Sequence, residues 1–201
     1  IKLIYPRQMI IIKTVSHSFF FYTAKYYKNT RGFNVKVLPV SCDGIVDVET
    51  LKTWLNTEAN DVALVSVMAA NNETGVIQPY QEINKICQNY KIPFLCDTTQ
   101  FIGKTPFNFK ESNVDFAVCS GHKLGALTGT GILLVKNPES LSPLIIGGGQ
   151  EKGHRGGTQN YIGNETLAVA LVGFKNSISK LEALNAKRLE FENRISKEFP
   201  Q

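Results

Sequence analysis

The chain has 201 residues, 43% hydrophobic and 19% charged, the balance of a folded globular chain and not of a disordered one. Its net charge of +5 is scattered, with no run of five basic residues, so no nucleic-acid partner is expected. The longest apolar stretches, such as Ile10–Ile12 and Phe19–Tyr22, are too short to span a bilayer, and Lys13 and His17 interrupt what would otherwise resemble a secretory signal.

The elements follow in chain order. Ile10–Thr14 predicts a short buried strand, and Ser16 a cap for a helix from about Ser18 to Asn29, stopped by Arg31-Gly32. Phe33–Val40 predicts a strand and Asp43-Gly44 a turn. Asp47 is placed to cap a helix over Val48–Asn56. Ala63–Met68, a continuous apolar run rich in β-branched residues, suits a strand covered on both faces. Pro79 opens a helix to about Tyr90. Pro93–Cys96, Asp115–Cys119 and Gly131–Val135 predict three more strands. From about Asn160 to Phe199 the pattern is helical, with a break expected near Gly173.

Strands alternating with helices imply an α/β fold with a mostly parallel sheet and flanking helices. Ligand sites in such sheets lie beyond the carboxyl ends of the strands. Three polar segments fall there: Asn71-Asn72-Glu73-Thr74-Gly75, Asp97-Thr98-Thr99-Gln100 and Ser120-Gly121-His122-Lys123.

A lysine between polar groups at a strand end suits a Schiff-base nucleophile, and a carboxylate at a neighbouring strand end suits a cationic ring nitrogen. Together they are the pattern of a pyridoxal phosphate (PLP) site, with Ser120 and His122 placed to hold a phosphate. Taken singly, each residue has a plainer reading. Lys123 can be an exposed loop lysine, Asp97 a cap for the turn Thr98–Phe101, and His122 and Asn71-Asn72 ordinary turn residues. The four cysteines, Cys42, Cys87, Cys96 and Cys119, form no CxxC pair and are too few for a disulfide framework, so a cytoplasmic, reducing setting is expected. Cys119 and His122 have CxxH spacing, but no second pair of ligands follows, and no metal site is expected.

In order along the chain, Ala70–Gly75, Asp97–Gln100, Ser120–Lys123 and Gly147-Gly148-Gly149-Gln150-Glu151…Arg155-Gly156-Gly157-Thr158 resemble the class V aminotransferase superfamily, in its cysteine desulfurase and selenocysteine lyase branch. The spacings agree, with Asp97 lying 25 residues after Asn72 and Lys123 lying 26 after Asp97. The resemblance runs from about Met9 to the end and implies a large domain of the type I PLP-dependent transferase fold.

The resemblance also implies roles. Lys123 would bind PLP as a Schiff base, Asp97 would pair with the ring nitrogen, and Gln100 would bond the phenolic oxygen. Ser120 and His122 would hold the phosphate, His17 would stack on the ring, and Asn72 would lie beside cofactor and substrate carboxylate. Thr158 would reach the phosphate of a second subunit, implying a homodimer. Cys96 and Cys119 match no family nucleophile and are expected to be core residues.

The expected activity is that of a cysteine desulfurase-like protein, removing sulfur from L-cysteine for iron–sulfur cluster assembly, with a sulfur-acceptor protein as partner. Leu124–Gly129 lacks the Tyr-Gly-Pro-Lys common in the family, which bears on the branch. A selenocysteine lyase or aminotransferase, or an inactive truncated remnant or partner of an intact homologue, stand as alternatives. Residues 1–178 are expected to form the PLP-binding domain and 179–201 a helix leading to a small domain. Residue 1 is Ile, and nothing in Ile1–Gln8 resembles the family's phosphate-binding turn. The family's loop cysteine and carboxylate-binding arginine would fall beyond residue 201. The expectation is a partial chain that is not a competent desulfurase alone.

Overall fold

The strand Val62–Met68 buries every one of its side chains, as a continuous apolar segment does when both faces of its sheet are covered. A computed structural model, describing residues 7–13 and 18–200, places it inside a six-stranded sheet. In chain order the elements are β1 (Met9–Lys13), α1 (Ser18–Arg31), β2 (Asn34–Leu38), α2 (Val48–Glu58), β3 (Val62–Met68), α3 (Tyr80–Asn89), β4 (Phe94–Asp97), α4 (Phe109–Ser112), β5 (Phe116–Ser120), β6 (Gly131–Val135), α5 (Tyr161–Val172) and α6 (Phe174–Glu198). The sheet order is β2-β1-β3-β4-β5-β6. All neighbours are parallel except β5 and β6.

That last pair departs from the alternating strand–helix expectation for a physical reason. A parallel crossover needs roughly a dozen residues or more, usually a helix. Only residues 121–130, with a single 3₁₀ turn and no α-helix, join β5 to β6, so the chain doubles back and Ser120 pairs with Gly131.

Because strand side chains alternate, each strand feeds two layers. Ile11, Val65, Val67, Phe94, Cys96 and Ala117 point into the main core, where Leu51 and Leu55 of α2 and Ile83, Ile86 and Cys87 of α3 meet them. Full burial of each such aliphatic side chain is worth about 1.5–3 kcal/mol. On the opposite face, Ile10 and Ile12 pack against Ala24 and Tyr27 of α1. A third, small cluster joins Cys119, Leu124 and Ala126 to Leu167 of α5 and Phe174 of α6.

Local chemistry sets the boundaries. The Asp47 side chain accepts from Thr50 N at 3.0 Å and caps α2. Gly32, at φ +70, follows α1 in a conformation that stops a helix. Gly173 separates α5 from α6, and α6 then runs past residue 178 without interruption. The expected strand Phe33–Val40 is shorter, because Val40 leaves the sheet to pair antiparallel with Val46. Gln78 holds that hairpin by accepting from Val46 N and donating to Gly44 O, both at 2.9 Å. Helix α1 runs two residues beyond the expected Asn29. Its expected cap, Ser16, lies outside the described residues. Among the described residues, no helix is long and apolar enough to cross a membrane.

Candidate active site

Strands β3, β4 and β5 are adjacent and parallel, with Met68 paired to Asp97 and Asp97 to Val118. Their carboxyl ends therefore share one edge of the sheet, and the three polar segments that follow lie side by side. They border a cleft of about 870 Å³ whose lining includes Asn72, Asp97, Gln100, Ser120, His122 and Lys123. Its floor is the sheet face opposite the main core, with Leu64, Ser66, Leu95 and Val118.

The first turn is built by Asn71. Its buried Oδ1 accepts from Glu73 N and Thr74 N, both at 2.9 Å, and from Thr74 Oγ1 at 3.1 Å. Gly75, at φ +73, lets the chain turn back so that Asn71 N donates to Val76 O at 3.0 Å. Asn72, next in sequence, is left exposed in the cleft.

The second turn starts from Asp97, which is only 6% exposed. Its Oδ1 accepts from Thr99 N at 2.9 Å. Asp97 thus caps its own turn and also lines the cleft; a carboxylate has two oxygens, and one capping bond leaves it able to hold a cation. Thr98 ties the turn to β5 by donating from Oγ1 to Val118 O at 2.8 Å. Gln100 Oε1 accepts from Lys104 Nζ at 3.1 Å.

The third turn, Gly121–Leu124, is a single 3₁₀ turn closed by Gly125 at φ +92. Gly121 is required there, because a Cβ would sit 2.9 Å from the Thr130 carbonyl oxygen. The turn leaves His122 and Lys123 exposed on the cleft side and buries Leu124. Ser120 Oγ and His122 Nδ1 lie 2.8 Å apart, hydrogen-bonded.

The remaining expectations divide. His17 lies outside the described residues. Thr158 is exposed and lies away from the cleft lining; its carbonyl accepts from Arg155 Nη1 at 3.1 Å. Cys96 is a core residue. Cys119 is buried as expected but also borders the cleft. Burial, with Asp97 next in weight, pushes its thiol up, which keeps it protonated and a weak nucleophile. Among the described residues, no group of three or more side chains is placed to hold a metal ion.

His154 also lines the cleft, together with Leu141, Ser142 and Leu144. It follows three consecutive left-handed residues, Glu151 (φ 49), Lys152 (φ 55) and Gly153 (φ +82). It lies within the Gly147…Thr158 segment, but no spacing rule marks which member of a loop turns toward a site.

The donor set fits PLP. An exposed amine suits its aldehyde, a buried carboxylate its protonated ring nitrogen, an amide its phenolic oxygen, and a hydroxyl–imidazole pair its phosphate. Sheet, cleft and donor set together define a class V PLP-dependent fold, and the chain belongs to the aminotransferase class-V family, which it matches over residues 2–198. Its relatives include cysteine desulfurase IscS of Rickettsia prowazekii, 48% identical over 129 residues, which cover 63% of this chain and 31% of that protein. Cysteine desulfurase IscS of Clostridium botulinum is 36% identical over 193 residues, covering 96% of this chain and 48% of that protein. The crystal structure of a NifS-like protein from Rickettsia africae superposes with a TM-score of 0.84 at 34% identity, covering 96% of this chain and 52% of that one. The chain thus spans about half the length of the relatives it matches almost throughout.

Proposed function

We propose that this chain binds PLP in the cleft at the ends of β3, β4 and β5 and serves a cysteine desulfurase, releasing sulfur from L-cysteine for iron–sulfur cluster assembly. The carrying observation is the convergence of three separate strand-end turns on one cleft, with the Lys123 amine and the buried Asp97 carboxylate both in its lining. When bound, PLP supplies an electron sink that loosens bonds at the carbons of an amino-acid substrate.

The chain's own residues do the rest. Lys123 anchors the cofactor covalently from an exposed turn whose backbone is fixed at both ends by glycines. Asp97 keeps a proton on the ring nitrogen, and its burial strengthens that charge pair. Gln100 donates from Nε2, because its Oε1 is already held by the Lys104 ammonium. Ser120 and His122 bind the phosphate, and Asn72 orients the substrate from the facing turn. By the family resemblance, His17 would stack on the cofactor ring.

Thr158, exposed and not part of the cleft lining, serves the phosphate of a second subunit in a homodimer. A reducing, cytoplasmic setting suits four free thiols, and a sulfur-acceptor protein takes the product. Residues 1–178 form the PLP-binding unit, and 179–201 lead toward a small domain.

The test is borohydride reduction in the presence of PLP, followed by peptide mapping. The expected result is a pyridoxyl label on Lys123 that Lys123→Ala abolishes. A label elsewhere, with Lys123 clean, overturns the site. Sulfide release from L-cysteine by an assembly containing this chain separates a desulfurase from an aminotransferase.

A further inference from the structure

The Lys123 turn is clamped from behind by the first turns of α5. Gly121 N donates to Thr130 O at 2.8 Å, so the position of Thr130 sets where the turn begins. Thr130 is itself buried, and its Oγ1 accepts from Asn160 Nδ2 at 3.5 Å. Asn160 Oδ1 in turn accepts from Gly163 N at 3.0 Å and caps α5. These three residues meet without slack: a Cβ at Gly163 would lie 2.2 Å from Thr130 Oγ1 and 2.4 Å from Asn160 Nδ2. On the far side of the lysine, Leu127 N donates to Thr166 Oγ1 at 3.2 Å. Between the two clamps, Leu124, next to Lys123, packs with Leu167 of α5.

We propose that Thr130, Gly163 and Thr166 are positioning residues for Lys123: a joint between the Gly121–Leu124 turn and α5 that fixes where the amine stands in the cleft. None of the three lines the cleft, so they act through the backbone of the turn. The joint also links the lysine to the segment that carries Thr158, two residues before the Asn160 cap. The proposal rests on the reading of Lys123 as the PLP anchor. Its physical basis is that a misplacement of about 1 Å in a reacting group can cost about a hundredfold in rate.

The experiment measures the rate at which Lys123 captures PLP, by borohydride trapping, in Gly163→Ala, Thr166→Val and Thr166→Ser. A cofactor-free readout, acetic anhydride labelling of Lys123 relative to the other lysines, runs in parallel. Gly163→Ala is expected to slow capture by about tenfold or more, because the added Cβ would displace both Thr130 Oγ1 and the Asn160 amide. Thr166→Val is expected to slow capture about threefold, while Thr166→Ser, which keeps the hydroxyl, behaves as wild type. Both readouts should shift for Lys123 and for no other lysine. Unchanged Lys123 labelling in Gly163→Ala and Thr166→Val overturns the joint. So does a uniform change across all lysines, which marks general loosening. If wild type shows no PLP on Lys123, the PLP reading fails, and the acetylation arm alone still decides whether the joint places the amine.

Discussion

Ser120 Oγ and His122 Nδ1 are hydrogen-bonded at 2.8 Å, and both residues line the cleft in which we propose that a phosphate binds. The bond couples the two donors. If the serine proton goes to Nδ1, the imidazole keeps its proton on Nε2 as the only ring donor; if Nδ1–H donates to Oγ, the hydroxyl proton is free to turn outward. Removing either residue therefore changes what the other can offer. Ser120→Ala and His122→Ala should each weaken PLP binding by about 10- to 100-fold, the range for a hydrogen bond to a charged group. Binding of pyridoxal, which has no phosphate, should hardly change. The measurement is fluorescence titration with both ligands, and an equal loss for the two would remove the phosphate role.

Asp97 performs two tasks that substitution separates. One is the cap on Thr99 N at 2.9 Å, and the other is the charge it presents to the cleft. Asp97→Asn keeps an oxygen for the cap and loses the charge, whereas Asp97→Ala loses both. Breaking a buried charge pair from one side costs about 3–5 kcal/mol. Both variants should therefore lose PLP affinity by more than about a hundredfold. Only Asp97→Ala should also show a lower melting temperature in the absence of PLP. Parallel thermal scans and PLP titrations check this.

The sequence made the parallel core of the fold legible because buried strands and their polar ends differ sharply in composition. Val62–Met68 and the segments after it stand out for that reason. The direction of β6 was not legible, since a five-residue apolar strand looks the same whichever way it runs, and only the short link after Ser120 decides. In the site, Lys123, Asp97, Ser120 and His122 could be found because their motifs follow strands directly. His154 could not, because its placement depends on three left-handed residues in an irregular loop. The Thr130–Gly163 contact was equally hidden, since it joins positions far apart in sequence through the absence of a side chain.

Cys87 gives the fold a pH signature. Burial, reinforced by Asp115, pushes its thiol from 9.0 up to about 12. The unfolded chain loses this proton near pH 9, whereas the folded chain holds it, so between the two values the unfolded state binds fewer protons and stability falls as pH rises. The contribution is fully present below pH 9 and is lost progressively toward about pH 12. Denaturant titrations at pH 8 and pH 10.5 should show a loss in wild type that shrinks in Cys87→Ala. An identical pH slope in the two proteins would assign the loss elsewhere.

Asn71 is the residue on which the first turn depends. Its one side-chain oxygen accepts three hydrogen bonds, from Glu73 N, Thr74 N and Thr74 Oγ1. Its amide nitrogen contacts Met68 Sδ at 3.5 Å. A hydrogen bond between neutral groups contributes about 0.5–1.5 kcal/mol net, and a donor left exposed recovers part of that from water. Asn71→Ala should therefore cost about 2–3 kcal/mol, seen as a lower denaturant midpoint with an unchanged slope. Asn71→Asp keeps an oxygen able to accept from all three donors, although it places a carboxylate at a buried position, so it should cost less than Asn71→Ala. The same change should reach the site, because Asn72 owes its place in the cleft to this turn. Hydrogen exchange at the Glu73 and Thr74 amides should accelerate in Asn71→Ala, and PLP should dissociate faster, while Asn71→Asp stays close to wild type in both. A destabilised Asn71→Ala that keeps wild-type PLP retention would show that the turn holds the fold without holding Asn72 to its task.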